Sequence, residues 1–388
     1  MRIAIISDLH CKHSSSDGPT KTTLLYSDDI NGSPLTNPIK ALKKLVEDEK
    51  IKCDLVLCPG DIADRADPQG LSTGWTYLES IQGATGSGLL LATVGNHDVN
   101  VKCMDKEDPN GSLKNFDTNY PVPNADGMRT QYWQDDYCLM KYDRTIILVF
   151  NSCHSHRNSS SSRQSHITID QIAKISAELA KIDLSDYDYR IALCHHHPIN
   201  HGNIDNPDID LISNGEDLLT MLETFKFQVV IHGHKHEPRL SYRNSIAVFC
   251  AGSLSSTQNV YDLRIENTFH IMEILPGKAM GTIETWVLIP RKGWIQKSGT
   301  FFPCLTGFGT RTNIDDLAKK CVDWLKQEQT DLALFNTLKL QFPELAYLNP
   351  SDQELLNTAI GVNNAELTPE FPDRPKYIGL KILKDESV

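Results

Sequence analysis

No apolar run in the 388-residue chain approaches the roughly 20 residues that a membrane-spanning helix needs; Ile146–Phe150 and Leu89–Ala92 are among the longest. A helical membrane span is therefore excluded. The opening Met1-Arg2-Ile3-Ala4-Ile5-Ile6-Ser7-Asp8 turns polar too early for the apolar stretch of a secretory signal and reads as a buried first strand. There is no C-x-x-C pair: the 10 cysteines are scattered, which suits reduced, mostly buried thiols in a cytoplasmic protein. Positive charge is in deficit as well, with 38 Lys plus Arg against 50 Asp plus Glu, a net charge of −12 and no basic tail. That balance disfavours a long polyanionic partner, because neutralising many phosphates takes a Lys/Arg surface. A small phosphorylated substrate stays compatible if metal ions supply the positive charge.

What is present is core-forming. With 40% hydrophobic residues and a length that suggests two domains at about 100–200 residues each, the chain can build a core in both. Strands are expected at Ile3–Ser7, Leu55–Cys58, Leu89–Val94, Thr145–Asn151, Tyr189–Cys194, Val229–His232, Ile246–Ala251, Phe269–Leu275 and Thr282–Leu288. Helical patterns cover Pro38–Glu49, capped by Asn37, then Thr168–Ile182 and Glu216–Phe225. The front half is therefore α/β, with antiparallel pairing toward its end. Residues 11–36, 99–130 and 152–166 are polar insertions, the last containing the serine run 159–162, read as a flexible linker.

The texture changes near Phe302. Leu317, Cys321, Trp324 and Leu325 recur at helical spacing, Leu332–Phe342 follows, Ser351-x-x-Glu354 forms a capping box, and Tyr377–Leu383 suggests a last strand. The expected division is a domain over 1–300 and a small, mainly helical domain over 301–388. An oligomerisation module, a lid and a docking surface for a protein partner all fit that tail.

The metal-capable side chains cluster at strand ends: Asp8-Leu9-His10, Gly60-Asp61-Ile62-Ala63-Asp64, Gly95-Asn96-His97-Asp98, His195-His196-His197-Pro198 and Gly233-His234-Lys235-His236. Strand carboxyl ends of an open α/β sheet converge on one rim, so these distant clusters can share a site. Carboxylate and imidazole together suit Mn, Fe, Zn or Ni, and two such ions about 3.5–4 Å apart can activate a water for in-line attack on phosphorus.

In this order the clusters resemble the calcineurin-like metallophosphoesterase superfamily, closest in motif style to its bacterial cyclic-nucleotide phosphodiesterase branch. The resemblance extends over about Met1–Gly252 and leaves the tail uncovered. It implies a two-sheet β-sandwich flanked by helices, two divalent transition-metal ions (Mn or Fe foremost, Zn or Ni as alternatives), and attack by a metal-bridging hydroxide. It places Asp8, His10 and His236 on the first metal, Asp61 as the bridge, and Asn96, His196 and His234 on the second. His97 would be the acid that protonates the leaving oxygen, with Asp98 beside it to orient or tune it. Composition does not choose among His195, His196 and His197; the family pattern selects the residue two before the proline.

Other residues carry plainer readings. Asp64 is open between a hydrogen bond to a ligand and a turn cap, Arg65 is read as solvated, and His13, His154, His156, His166 and His201 as surface residues. The leading function is a phosphodiesterase for a small, nucleotide-like diester. A nuclease would need a basic groove. A phosphoprotein phosphatase is poorly matched, because Ala66 and Asp98 stand where that branch has glycine and glutamate. A non-catalytic binding scaffold would be expected to have lost ligands, and none is missing.

Overall fold

The short apolar runs form strands because they are flanked by polar or glycine-rich turns and buried on both faces. The computed structural model describes residues 1–14, 21–29, 32–100, 108–123, 127–156, 165–200, 210–257, 266–300 and 302–381. It divides into two units: Met1–Ala279 with Val287–Ile295, and Met280–Trp286 with Gln296–Val388. The serine run 159–162, His201 and parts of the three expected insertions lie outside the described residues.

In chain order the first unit contains β1 (Arg2–Ile5), α1 (Pro38–Asp48), β2 (Leu55–Cys58), α2 (Pro68–Thr85) and β3 (Leu89–Ala92). Two short helices follow, α3 (Gly111–Lys114) and α4 (Met128–Asp135), then β4 (Tyr137–Tyr142), β5 (Thr145–Phe150), β6 (Ser165–His166) and α5 (Ile169–Leu179). Next come β7 (Tyr189–Leu193), β8 (Ile212–Ser213), α6 (Gly215–Thr224), β9 (Val229–His232), β10 (Pro238–Arg243), β11 (Ile246–Ala251) and β12 (Thr268–Ile274). β13 (Gly281–Ile289) is divided between the units, and β14 (Gly293–Ile295) pairs with its last residues, Val287–Ile289.

Two main sheets result. One has the order β14-β13-β12-β1-β2-β3, with β1, β2 and β3 parallel; the other has the order β10-β11-β9-β7-β5-β4, with β5, β7, β9 and β11 parallel. β6 and β8 form a small parallel pair. Every residue of β2, β3, β5, β9 and β11 is buried, as expected of strands covered on both faces. On the second sheet, Leu148, Phe150, Ala192, Cys194 and Val230 pack against Ile175 and Leu179 of α5 and Leu218 and Leu222 of α6. The expected α1 begins as read, with Asn37 Oδ1 accepting from the amides of Ile39 and Lys40 and Pro38 at the first position.

The second unit is mainly helical, with strands besides the one read at 377–383. β15 (Leu305–Phe308) pairs with Gly281–Glu284 of β13, and α7 (Ile314–Gln327), α8 (Phe335–Gln341) and α9 (Pro350–Val362) accompany the antiparallel sheet β16-β18-β17. These strands are β16 (Leu332–Leu334), β17 (Ala365–Thr368) and β18 (Tyr377–Leu380). Leu317, Cys321, Leu325, Leu356 and Ile378 share its core. No described helix is long and apolar enough to cross a membrane. The nine described cysteines are all buried and unbridged.

Candidate metal centre

The loops that leave β1, β2 and β3 continue the sheet's hydrogen bonding past the strands. Asp8 N donates to Gly60 O (3.1 Å), His10 N to Asp61 O (2.9 Å) and Thr93 N to Cys58 O (3.1 Å). Asp8, His10, Asp61, His234 and His236 all have left-handed backbones, with φ between 46° and 73°. Such angles are costly for residues other than glycine, though Asp and His tolerate them best, and they turn the side chains inward here. Gly60, at φ 107°, carries a second constraint: a Cβ there would come within 2.8 Å of Gly95 N and 2.9 Å of His195 Nδ1.

Asp8, His10, Asp61 and His236 offer donor atoms within 4.8 Å of one another. His236 Nε2 lies 3.2 Å from Asp8 Oδ1 and 2.9 Å from His10 Nε2, and His10 Nε2 is 3.7 Å from Asp61 Oδ2. The same Asp61 oxygen faces a second group: His195 Nε2 is 3.5 Å away, and Asn96 Oδ1 is 2.9 Å from both His195 Nε2 and His234 Nδ1. His195 Nδ1 donates to Pro59 O at 2.9 Å, which leaves the Nε2 lone pair toward Asn96 and Asp61.

The histidine run differs from the sequence expectation. His196, expected beside Asn96 and His234, has its ring centroid 4.4 Å from that of His234 but directs Nδ1 to Ser152 Oγ at 2.9 Å and to Cys153 Sγ at 3.8 Å. Strand parity is the reason: Ala192 and Cys194 face the cluster under α5 and α6, and His195 has the opposite parity. His197 is fully buried.

His97 also differs in its partner. Its Nδ1 lies 2.8 Å from Asp64 Oδ1, and its backbone N–H donates to Asp61 Oδ1 at 2.7 Å. Asp98, expected to orient that ring, accepts instead from the backbone amides of Ala63 (2.7 Å) and Gly95 (2.9 Å), so it braces two loops. Asp64 is the residue whose alternatives were open, and it faces His97. Two nearby groups had no sequence signal. Lys12, only 2% exposed, places Nζ 3.3 Å from Asp64 Oδ2, and Asp210 Oδ2 lies 3.7 Å from His234 Nε2. Arg65 is largely exposed. Of the histidines read as surface residues, His13, His154 and His166 are half-buried, while His156 is completely buried.

Burial is the largest influence on these groups. It pushes Asp61 well above the usual carboxylate range, opposed by His97 and reinforced by Asp8 and Asp98, and it lifts Asp98 to about 6. For Asp8 the neighbouring His236, His195 and His10 outweigh burial, and for Asp64 the hydrogen bonds of His10 and His97 do so; both carboxyls lie low. Burial lowers His10 to about 4 and also lowers His195 and His234. His97 is raised to about 9, because the charge of Asp61 and the bond to Asp64 exceed its burial penalty. The donor set thus combines lone-pair imidazoles with two buried carboxylates, Asp8 and Asp61, whose burial disfavours the charged form. That chemistry fits divalent cations.

A mixed α/β fold with two main sheets, and a rim of aspartate, asparagine and histidine, define the class. Residues 1–238 match the family model for calcineurin-like phosphoesterases, and the chain belongs to that family. Among solved structures, purple acid phosphatase PPD1 from yellow lupin is similar over 73% of this chain and 51% of its own, with 13% identity and a TM-score of 0.47. The chain thus spans about half the length of that protein. GAP50 of Plasmodium matches with 14% identity over 76% of this chain and 85% of its own, TM-score 0.39. Zinc-complexed Vps29 from Entamoeba histolytica matches with 12% identity over 74% and 93%, TM-score 0.34. No curated protein matches the chain.

Proposed function

We propose that the chain is a dinuclear metal-dependent phosphodiesterase acting on a small, nucleotide-like diester. The observation that carries this reading is the position of Asp61, one carboxylate oxygen of which faces both donor groups. Asp8, His10 and His236 would hold one divalent ion and Asn96, His195 and His234 the other, with Asp61 between them. His195 takes the place that the family pattern gave to His196, because its Nε2 faces both Asp61 and Asn96. Bound there, two ions would supply Lewis acidity toward phosphoryl oxygens and a water of lowered pKa.

The chain's own residues do the rest. Asp64 holds His97 Nδ1, so Nε2 is left to carry a proton to the leaving oxygen. Lys12 and Arg65 face Asp64, and Lys235 Nζ lies 3.5 Å from Asp210. These cations already have carboxylate partners, an arrangement that suits the single charge of a diester better than the two charges of a monoester. The net charge of −12 favours a small substrate.

A Mn-supplemented hydrolysis screen tests this reading. Cyclic nucleotides, dinucleotides and bis-nitrophenyl phosphate should be cleaved faster than nitrophenyl phosphate or a phosphopeptide, with weak salt dependence. Preferential cleavage of long DNA or RNA, falling steeply with salt, would move the assignment to a nuclease. A phosphopeptide preference would move it to a phosphatase.

A further inference from the structure

Nδ1 of His196 is turned toward a donor set other than the one around Asp61. Cys153, His156 and His196 are each 0% exposed, and they offer one sulfur and two nitrogens within 4.8 Å of one another. Cys153 Sγ lies 3.8 Å from His196 Nδ1, and the ring of His156 stands edge-on to that of His196 with centroids 5.1 Å apart. Sulfur and nitrogen bound tetrahedrally to zinc, at about 2.3 Å and about 2.0–2.1 Å, are about 3.5 Å apart. The observed spacing is close to that.

Local structure explains the convergence. Cys153 and His156 have C-x-x-H spacing on the turn after β5, closed by His156 N donating to Cys153 O at 3.0 Å. His196 follows β7, the strand paired with β5. The nitrogen of His196 that nears Cys153 is Nδ1, whose hydrogen bond with Ser152 Oγ at 2.9 Å the ion would replace.

We propose that Cys153, His156 and His196 form a third metal site, separate from the centre around Asp61, which binds one Zn²⁺ or a similar borderline-soft divalent ion. On binding, the Cys153 thiol releases its proton to solvent and its sulfur donates an electron pair to the ion, with no change of oxidation state. The site ties the turn after β5 to the end of β7 and so steadies the neighbouring His195. It is chemically distinct from the Asp61 centre, which has no sulfur donor.

Cobalt substitution of the full chain reads this difference directly, because only a thiolate ligand gives an intense sulfur-to-cobalt charge-transfer band. Wild type and Asp61→Asn should both show the band at one equivalent per chain, whereas Cys153→Ser should lose it and His156→Gln should bind the ion more weakly. A cobalt-saturated wild type without the band, or a Cys153→Ser protein that keeps it, would overturn the third site. Should the variants fail to fold, alkylation of wild-type Cys153, mapped by mass spectrometry, should slow at least tenfold when Zn²⁺ is added. Equal labelling with and without Zn²⁺ would refute the proposal. Neither result bears on the Asp61 centre.

Discussion

His97 and Asp64 act as a pair. If His97 gives a proton to the leaving oxygen, His97→Ala should lose at least about 100-fold in kcat on a substrate with a poor leaving group, within the usual range for general acid catalysis. It should lose far less on an activated nitrophenyl ester. Asp64→Asn should show the same leaving-group pattern in weaker form, because Asp64 reaches the substrate only through His97. Equal losses on both substrates, accompanied by loss of metal, would instead make His97 a ligand. At this scale the sequence was informative about chemistry and silent about orientation. Asp8, His10, Asp61 and His236 were legible because such residues seldom gather at strand ends without a shared task. Asp98 and the His195-to-His197 run were not, since a backbone hydrogen bond and a half-turn of strand decide where each side chain points. Lys12 and Asp210 belong to no motif and come to the rim only through tertiary folding.

The loops that carry these residues depend on close packing by α2. Gly70 of that helix lies so near the chain after β1 that an added Cβ would sit 1.9 Å from Cys11 O, and one at Gly74 would sit 2.6 Å from Ile62 Cγ2. Gly70→Ala should therefore displace the Asp8–Cys11 loop, costing about 1–3 kcal/mol in urea-denaturation stability, as overpacking usually does. It should also weaken metal binding. Unchanged stability and metal affinity would show that the helix does not hold the loop. The same glycines explain why α2 was missed in the sequence: they interrupt the apolar stripe and lower helix propensity. α1 was legible because Asn37-Pro38 announces its start. In α9 the cap proved to be Asn349, which accepts from Asp352 N at 2.9 Å ahead of Pro350, displacing the capping box expected at Ser351. The small sheet β16-β18-β17 was mostly hidden because its strands are only three or four residues long.

Across the whole molecule, buried histidines link stability to pH. His270 on β12 is buried against Phe249, with Nε2 2.8 Å from Ala251 O, and burial lowers its pKa from 6.5 to about 3. The unfolded chain therefore takes up this proton first. The contribution of His270 to stability is full above about 6.5 and is lost by about 1.4 kcal/mol per pH unit between there and about 3. Urea midpoints at pH 7 and pH 5 should differ less in His270→Gln than in wild type; an identical difference would show that His270 does not link stability to pH. A dinuclear centre bridged by Asp61 should be visible in electron paramagnetic resonance of the Mn²⁺-loaded full chain, recorded alongside bis-nitrophenyl phosphate hydrolysis. Wild type and His196→Ala should show an exchange-coupled ion pair, and Asp61→Asn and His195→Ala should show isolated ions only, with hydrolysis lost in both. An active wild type containing only uncoupled Mn²⁺, or full activity of Asp61→Asn in metal-free buffer, would contradict a dinuclear centre bridged by Asp61.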